Sequence, residues 1–313
     1  MKNFHIQWHI TEICNFKCLH CYKEPYRKEL YFEELKIIAD RLNEFINTNR
    51  YTLTISFTGG EPFLKPEVYD IAEYVDKFSS TTKINFITNG SIIPDIFRLK
   101  NLSKLGIIYV SLESIDEKIN DKIRGKGSFN IVFNNLYRLS NNFTVGIMTT
   151  LMNTNIEDLT ENLDFFVEKL FLLGIKEIIF ERFIPVGEAK KLKNEVVDLK
   201  KILRFYSKLA ETFCVDFDEL KKYPAIKLVN KERIFKFNNL EVYAAKCIFA
   251  EDGFAILCDG GVYPCRRFDF EIGNFLNEKN FYFNIDKLNL LKSKFIKNDE
   301  IFCCYATEKS LEN

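Results

Sequence analysis

Three cysteines near the start of the chain lie close enough in sequence to share one metal centre. Cys14, Cys18 and Cys21 are separated by three and two residues, and they follow residues 4–9, where apolar and polar side chains alternate. A loop with these spacings can place three thiolates around one face of an iron–sulfur cubane, because its irons prefer soft sulfur ligands. One iron of the cubane then lacks a protein ligand and is open to a second molecule.

Zinc is the main alternative for the same thiols. Zinc sites usually have four ligands in paired Cys-x-x-Cys arrangements. His20 is the nearest further ligand, but it lies too close between Cys18 and Cys21 to complete a tetrahedron easily. The spacing therefore favours an iron–sulfur cluster, with zinc or unliganded buried thiols as the alternatives.

The spacing of the three cysteines resembles the signature of the radical S-adenosylmethionine (radical SAM) superfamily. The resemblance implies that the amino and carboxylate groups of SAM chelate the open iron. It also implies that an electron from the cluster cleaves SAM to methionine and a 5′-deoxyadenosyl radical, so that the cofactors supply the difficult chemistry. The expected cofactors are a SAM-binding 4Fe-4S cluster and SAM itself.

A turn with two glycines and a glutamate follows the second predicted strand. Residues 58–62 are Thr-Gly-Gly-Glu-Pro, and glycines allow positive φ angles and close approach of the backbone. An ordinary turn between a strand and a helix can have the same composition. Together with the cysteines, the stretch resembles the Gly-Gly-Glu-Pro motif of the family. The resemblance implies that Gly59, Gly60 and Glu61 bind the SAM amino group.

Polar residues also follow the third and fourth predicted strands, where Asn89, Ser111 and Glu113 could reach ribose hydroxyls. Residues 111–129 resemble the corresponding part of radical SAM peptide maturases. The resemblance implies that Ser111 contacts the ribose and that Arg124 pairs with the SAM carboxylate, which suits a planar guanidinium. An exposed charge at a helix start is the structural alternative for Arg124.

A second group of cysteines lies near the end of the chain, at Cys247, Cys258, Cys265, Cys303 and Cys304. The stretch from Cys247 to Cys265 resembles the opening half of SPASM and twitch domains, which hold auxiliary iron–sulfur clusters. The longer cysteine pattern of a complete SPASM domain is missing, so one auxiliary cluster is expected. The resemblance makes Cys247 and Cys265 the expected ligands, and the remaining three are candidates for the other positions. A zinc ribbon or plain buried cysteines are the alternatives.

Smaller features complete the set of candidate residues. Gly260 and Gly261 predict a tight hairpin that presents Cys265. Cys214 lies far from both cysteine groups and is interpreted as a buried apolar thiol. His20 is interpreted as packing beside adenine, and no histidine is given an acid–base role.

The elements that must position these loops alternate between strand and helix patterns. Predicted strands cover residues 4–9, 51–58, 84–88, 107–112, 145–151 and 177–183, and predicted helices cover residues 32–46, 66–78, 94–105, 128–139, 156–173 and 197–213. Strands separated by helices imply parallel pairing through right-handed crossovers, and the loops after the strands build the site. The predicted fold class is α/β.

The family resemblance extends this fold to a partial (β/α)6 TIM-like barrel with a small C-terminal cysteine-rich iron–sulfur domain. The expected boundaries are residues 1–213 for the barrel and 240–313 for the auxiliary cluster domain. Residues 214–239 show no clear period and are interpreted as a bridge.

The composition excludes several classes of function. The 313 residues carry 44 basic and 44 acidic side chains, and this balance argues against nucleic acid or an anionic membrane as a partner. The longest apolar runs are much shorter than a membrane span, and the N-terminus lacks a signal-peptide pattern. Nine unevenly placed cysteines indicate metal ligands in a reducing cytosol rather than disulfides. The expected location is the cytoplasm.

The function implied by the resemblance is hydrogen abstraction from an inert C–H bond. Family members with a barrel and a SPASM or twitch domain most often modify peptides or proteins, by forming a crosslink or oxidising a side chain. The expected partners are a peptide or protein substrate and a flavodoxin- or ferredoxin-type electron donor. The chain begins only a few residues before the first predicted strand, so the peptide-recognition domain that many peptide maturases carry there is not expected. This departure favours a small-molecule substrate, unless a separate recognition partner supplies the function.

Two alternative functions remain open. One is a twitch-type radical SAM enzyme that acts on a small molecule, such as a sugar alcohol or a nucleotide-derived precursor. The other is a non-catalytic iron–sulfur or zinc-binding protein that carries electrons or scaffolds a complex. The second alternative needs no SAM-binding groups, and the turn at Gly59 and Gly60 argues against it.

Overall fold

The computed structural model describes residues 1–23, 28–220, 225–230, 240–245, 252–267 and 271–277. Of the predicted metal ligands, Cys247, Cys303 and Cys304 lie outside the described residues.

Six parallel strands form the centre of the fold. They are β1 Asn3–Thr11, β2 Thr52–Gly59, β3 Thr81–Thr88, β4 Leu105–Ser111, β5 Val145–Leu151 and β6 Glu177–Arg182. Consecutive strands pair in sequence order, and every one of these pairs is parallel. The predicted α/β class and its six strands are confirmed, and the parallel sheet is consistent with a partial barrel.

Helices connect these strands or follow the last of them. They are α1 Phe32–Thr48, α2 Glu67–Asp76, α3 Ile96–Lys100, α4 Glu117–Arg124, α5 Ser128–Ser140, α6 Ile156–Glu161, α7 Leu163–Leu172, α8 Leu199–Phe213 and α9 Phe217–Leu220. The single helix predicted over residues 156–173 is wrong, because Asn162 leaves the helical conformation between α6 and α7. The helix predicted over residues 94–105 is shorter, since Asp95 caps its start and Leu105 already belongs to β4.

The two faces of the sheet differ in polarity, as β1 shows. Phe4, Ile6 and Trp8 are buried and pack in the apolar core beneath the helices. The intervening side chains point to the opposite face, because successive residues of a strand alternate. On that face the His5 Nε2 atom lies 2.9 Å from Ser56 Oγ on β2. The opposite face of the sheet therefore presents polar groups.

Further strands extend both edges of the sheet. They are β7 Ala225–Asn230, β8 Leu240–Ala245, β9 Gly253–Ile256, β10 Gly261–Tyr263 and β11 Gly273–Asn274. The described strands form one sheet in the order β11-β10-β9-β1-β2-β3-β4-β5-β6-β7-β8. Strand β7 lies within residues 214–239, where no strand was predicted, and it pairs antiparallel with β6. The interpretation of residues 214–239 as a bridge between domains stays a prediction. Strands on both sides of the predicted domain boundaries belong to this one sheet, so the sheet itself does not mark a boundary. The domain boundaries stay a prediction.

The C-terminal hairpin is confirmed. Strands β9 and β10 are antiparallel, and Gly260 adopts a φ of +84° in the turn between them. Strand β9 also pairs parallel with β1, which places the hairpin beside the first strand. Cys258 is buried in the turn, and Cys265 follows β10 and is half-buried.

The interpretation of Cys214 as a buried thiol is wrong, because its side chain is exposed. Cys214 ends α8 with a φ of 54° and a ψ of 45°, in the left-handed conformation. This conformation turns the chain away from the helix axis after Phe213, the last buried residue of the helix.

No helix among the described residues is long and apolar enough to cross a membrane.

Candidate functional site

The three N-terminal cysteines lie on one loop at the carboxyl end of β1. We call residues 12–23 the cysteine loop. Its start is anchored by Glu29, whose Oε1 atom accepts hydrogen bonds from Thr11 Oγ1 at 3.0 Å and from the Glu12 N–H at 2.8 Å. Lys65 donates to the other oxygen of Glu29 at 2.9 Å. The loop therefore begins at a fixed position against the turn that follows β2.

The three thiols lie near one another and are half-buried. The Cys21 N–H donates to the Cys18 carbonyl at 3.2 Å, which closes the second half of the motif into a turn. Burial raises the pKa of the Cys21 thiol to about 11, and the neighbouring Cys18 adds to the shift. Burial also raises the pKa of the Cys18 thiol, and the negative charge of the Cys14 thiolate raises it further. A bound metal centre would reverse these shifts, because it deprotonates the thiols that coordinate it.

The chemistry of the donor set suits an iron–sulfur cluster. Cys14, Cys18 and Cys21 are half-buried thiols on one loop, and the irons of a cubane prefer soft sulfur ligands. Within the described ranges, no three His, Cys, Asp or Glu side chains are grouped as a site for a metal ion, and the binding of a cluster by these thiols stays a prediction.

The Gly-Gly-Glu turn packs directly on the backbone of the cysteine loop. The Gly60 N–H donates to the Thr11 carbonyl at 2.7 Å, and the Glu61 N–H donates to the Ile13 carbonyl at 2.8 Å. A Cβ atom on Gly59 would lie 2.2 Å from the Thr11 carbonyl oxygen, and one on Gly60 would lie 2.2 Å from that of Ile13. The glycines are therefore required for this close contact.

The Glu61 carboxylate is buried and already engaged. It accepts hydrogen bonds from Thr88 Oγ1 at 2.8 Å, from the Asn89 N–H at 2.7 Å and from the Phe63 N–H at 3.2 Å. Burial raises the pKa of Glu61 despite these donors. Its side chain joins the turn to the end of β3, and contact of this turn with the SAM amino group stays a prediction.

Asn89 and Ser111 lie at the carboxyl ends of neighbouring strands, as expected. The Asn89 Nδ2 atom lies 3.6 Å from Cys14 Sγ and 2.9 Å from Asn15 Oδ1, so it contacts the cysteine loop. The half-buried Ser111 hydroxyl donates to the Thr88 carbonyl at 3.4 Å. The structure brings both residues to the end of the sheet that carries the cysteine loop, and their contacts with SAM stay predictions.

Glu113 is the centre of a buried ionic network. Its Oε1 atom lies 2.9 Å from His20 Nε2 and 3.1 Å from Arg124 Nη1, and its Oε2 atom accepts from the Thr150 N–H at 2.7 Å. Burial alone would raise the pKa of Glu113, but His20, Arg124 and the Thr150 N–H hold it below its usual range. We call Glu113, His20 and Arg124 the Glu113 network. It connects the cysteine loop, α4 and β5.

The network gives two residues contacts that differ from their predicted roles. Arg124 is only 2% exposed, which excludes the alternative of a solvent-exposed charge. Its ion-pair partner is Glu113, so the pairing with a SAM carboxylate stays a prediction. The link between His20 and Glu113 was missed by sequence reasoning. Ninety-three positions separate the two residues, and no local pattern connects them.

The end of the cysteine loop is held by two other segments. The loop after β6 contributes the Ala189 N–H, which donates to the Cys21 carbonyl at 3.2 Å. The C-terminal hairpin contributes Arg266, whose guanidinium lies 5.2 Å from the centre of the Tyr22 ring and 3.7 Å from the Glu12 carboxylate. Arg266 follows Cys265, so the segment carrying this candidate ligand contacts both ends of the cysteine loop.

Comparison with known proteins identifies a family match over the part of the chain that holds these residues. The family described as "Radical SAM superfamily" matches residues 8–166. The Fe-coproporphyrin III synthase of Methanosarcina barkeri is 32% identical over 203 residues, which cover 62% of this chain and 48% of the relative. The antilisterial bacteriocin subtilosin biosynthesis protein AlbA of Bacillus subtilis is 27% identical over 282 residues, which cover 88% and 58%. The chain thus spans about half the length of these curated relatives.

A solved structure shares the fold. It is described as native anSMEcpe with bound AdoMet and Cp18Cys peptide, and it superposes with a TM-score of 0.63 at 17% sequence identity. The match covers 96% of this chain and 81% of that chain.

Proposed function

This chain belongs to the radical SAM superfamily, and from that membership we propose that it reductively cleaves SAM and abstracts hydrogen from a peptide or protein substrate. The observation that carries the proposal is the group of three half-buried thiols on one loop at the carboxyl end of a parallel sheet. When bound, the cluster would supply the electron that cleaves SAM to methionine and a 5′-deoxyadenosyl radical.

The residues of this chain would divide the work of binding. Cys14, Cys18 and Cys21 would hold the cluster, and the turn at Gly59 and Gly60 would keep the cysteine loop in place. The polar side chains of Asn89 and Ser111 would line the SAM site, since they occupy the carboxyl ends of β3 and β4. In parallel α/β folds, ligands bind at this end of the sheet.

A peptide is the favoured substrate class, and two comparisons support it. AlbA is named as a bacteriocin biosynthesis protein, and the superposed structure holds a peptide as well as AdoMet. The modification would be a crosslink or an oxidised side chain. The partners would include a flavodoxin- or ferredoxin-type electron donor and a separate protein that recognises the peptide. One auxiliary cluster, with Cys258 and Cys265 among its candidate ligands, would complete the enzyme.

A small-molecule substrate is the second candidate. It is favoured by the Methanosarcina relative, which is named as a coproporphyrin synthase and is 32% identical. Co-expression with peptides encoded beside the protein would separate the two candidates. A mass change on such a peptide supports the first, and turnover of a metabolite without any peptide change supports the second.

The catalytic proposal is tested on anaerobically reconstituted full-length protein. Dithionite and SAM should give 5′-deoxyadenosine, measured by liquid chromatography and mass spectrometry. Iron and sulfide should be about eight per chain and fall to about four when Cys14, Cys18 and Cys21 are all changed to alanine, as expected for two cubanes. Cys214→Ala is the matched control, because this exposed thiol lies outside the site. Protein with full iron content that forms no 5′-deoxyadenosine would contradict the proposal and favour a non-catalytic iron–sulfur protein.

A further inference from the structure

The cysteine loop exposes one of its sides to solvent. Along residues 13–19 the side chains alternate, with residues 13, 15, 17 and 19 exposed and residues 14, 16 and 18 half-buried. Ile13, Lys17 and Leu19 therefore face outward, and 58% of Ile13 is exposed. The thiols of Cys14 and Cys18 lie at the half-buried positions between them. The loop thus carries its exposed side chains and its thiols on different sides.

The end of α4 continues this exposed surface. The Leu19 N–H donates to the Ile123 carbonyl at 2.8 Å, which joins the cysteine loop to the last turn of the helix. Lys122 and Lys126 lie on either side of that contact in sequence, and both are exposed. Together with Lys17, they give this part of the surface three cationic side chains.

The turn after β2 adds apolar surface beside the loop. Its Glu61 N–H donates to the Ile13 carbonyl at 2.8 Å, and Leu64 of the same turn is exposed, as Ile13 is. Apolar side chains together with a polar rim are what protein–protein interfaces present. We call this set of side chains the outer face of the cysteine loop, and its members are Ile13, Lys17, Leu19, Leu64, Lys122 and Lys126.

The outer face is positively charged, although basic and acidic residues are equal in number over the whole sequence. Its side chains come from residues 12–23, 61–65 and 122–126, and these described segments have no exposed acidic side chain. Glu12 is only 10% exposed, and Glu61 is buried. Glu29, which anchors the start of the loop, is paired with Lys65. Because interfaces match positive with negative potential, this surface suits an acidic partner.

We propose that the outer face of the cysteine loop is the docking site of an acidic, flavodoxin-type electron donor. The flavin of the donor would lose one electron and the cluster would gain it, with no proton or group transferred. A donor docked here would have only the loop between its flavin and the thiols, and electron transfer slows steeply with distance. A flavin presents a flat apolar edge, which suits the exposed Ile13, Leu19 and Leu64. The inference rests on the proposed function, because that function requires an external electron.

The test is the binding of an oxidised bacterial flavodoxin of net negative charge to the full-length protein, measured by isothermal titration calorimetry. Wild-type protein should bind at low salt and much more weakly at about 1 M salt, where the Debye length is about 3 Å. The double variant Lys122→Glu with Lys126→Glu should weaken binding at low salt about tenfold, because two attractive charges become repulsive. The matched control is Lys77→Glu with Lys83→Glu, which makes the same change in net charge. These two lysines are exposed before and at the start of β3, at the opposite end of the sheet.

Reduction of the reconstituted protein provides the second readout. Dithionite should reduce the double variant to the same extent as the wild type, whereas reduced flavodoxin should reduce the variant about tenfold more slowly. Lys17→Glu should weaken flavodoxin binding in the same way. Ile13→Ser should weaken binding at both salt concentrations, because it removes an apolar contact and no charge.

Three outcomes would overturn the inference. They are a wild-type protein that does not bind flavodoxin, a double variant that binds as tightly as the wild type, and a control variant that loses as much affinity as the double variant. The last result would mean that net charge alone governs binding. A protein that holds a cluster but forms no 5′-deoxyadenosine with dithionite and SAM would defeat the proposed function, and the binding titrations would still decide where flavodoxin docks.

Discussion

Gly60→Ala tests whether the contact between the Gly-Gly-Glu turn and the cysteine loop controls cluster binding. The new Cβ atom would lie 2.2 Å from the Ile13 carbonyl oxygen, whereas ordinary contact begins at 3.4 Å. The two backbone segments would therefore have to separate by about 1.2 Å. Neither segment can yield by rotating a side chain, since the atoms that clash are all backbone atoms of Glu12 and Ile13.

The separation would break the two hydrogen bonds that join the segments, from the Gly60 N–H to Thr11 and from the Glu61 N–H to Ile13. At about 0.5–1.5 kcal/mol each, their loss should lower the free energy of unfolding by about 1–3 kcal/mol. A displacement of about 1 Å at a catalytic loop can reduce the rate about 100-fold. We therefore expect lower iron content and a rate of SAM cleavage reduced about 100-fold.

The assays are iron content, 5′-deoxyadenosine formation and denaturant unfolding of the full-length protein. Gly127→Ala is the matched control, because Gly127 has a positive φ of +82° but a Cβ atom added there would meet no other atom within 4 Å. It should cost about 1–2 kcal/mol of backbone strain without changing iron content. Wild-type iron content and SAM cleavage in Gly60→Ala would refute the reasoning.

Three further predictions concern residues outside the cysteine loop. Burial lowers the pKa of His5 from 6.5 to about 4, so between these pH values the unfolded chain binds one more proton than the folded chain, and the free energy of unfolding should rise with pH. The total rise should be no more than about 3 kcal/mol, because the His5 side chain is partly exposed. His5→Gln should remove this pH dependence, as measured by urea unfolding at pH 4.5 and 6.5. Asp116 accepts hydrogen bonds from the Lys118 and Ile119 N–H groups at the start of α4, so Asp116→Ala should lower the free energy of unfolding by about 1 kcal/mol. Iron content should stay unchanged as the control, and an unchanged free energy of unfolding would contradict the capping role. Cys214 is exposed, so iodoacetamide should alkylate it in the folded protein while the buried Cys258 stays unmodified, as peptide mass spectrometry will show; protection of Cys214 would contradict the exposed position.

Much of the fold was predictable because it depends on local patterns. Alternating polarity in the first strand and strand-forming segments between helical patterns identified the six parallel strands, and the intervening apolar periodicity identified most of the helices. The errors fall where a tertiary contact or a single residue overrides the pattern. Asn162 divides the helix predicted over residues 156–173, and strand β7, which was not predicted, forms by pairing with the edge of β6.

In the candidate site, too, local patterns were predictable and tertiary contacts were not. The spacing of Cys14, Cys18 and Cys21 indicated that they share a loop, and the glycine pair at Gly59 and Gly60 indicated a close backbone approach. The structure added which backbone is approached, namely that of the cysteine loop itself. It also gave the Glu61 carboxylate three protein donors that the motif alone does not specify.

The sequence by itself determined the family, the order of strands and helices, and the placement of three thiols after the first strand, because these depend on residue types and spacings along a short stretch of chain. Only the tertiary structure decided that Glu113 joins His20 to Arg124, and that a C-terminal strand pairs with β1. The physical reason is that a buried charge must be paired, and its partner is whichever opposite charge the fold brings within reach.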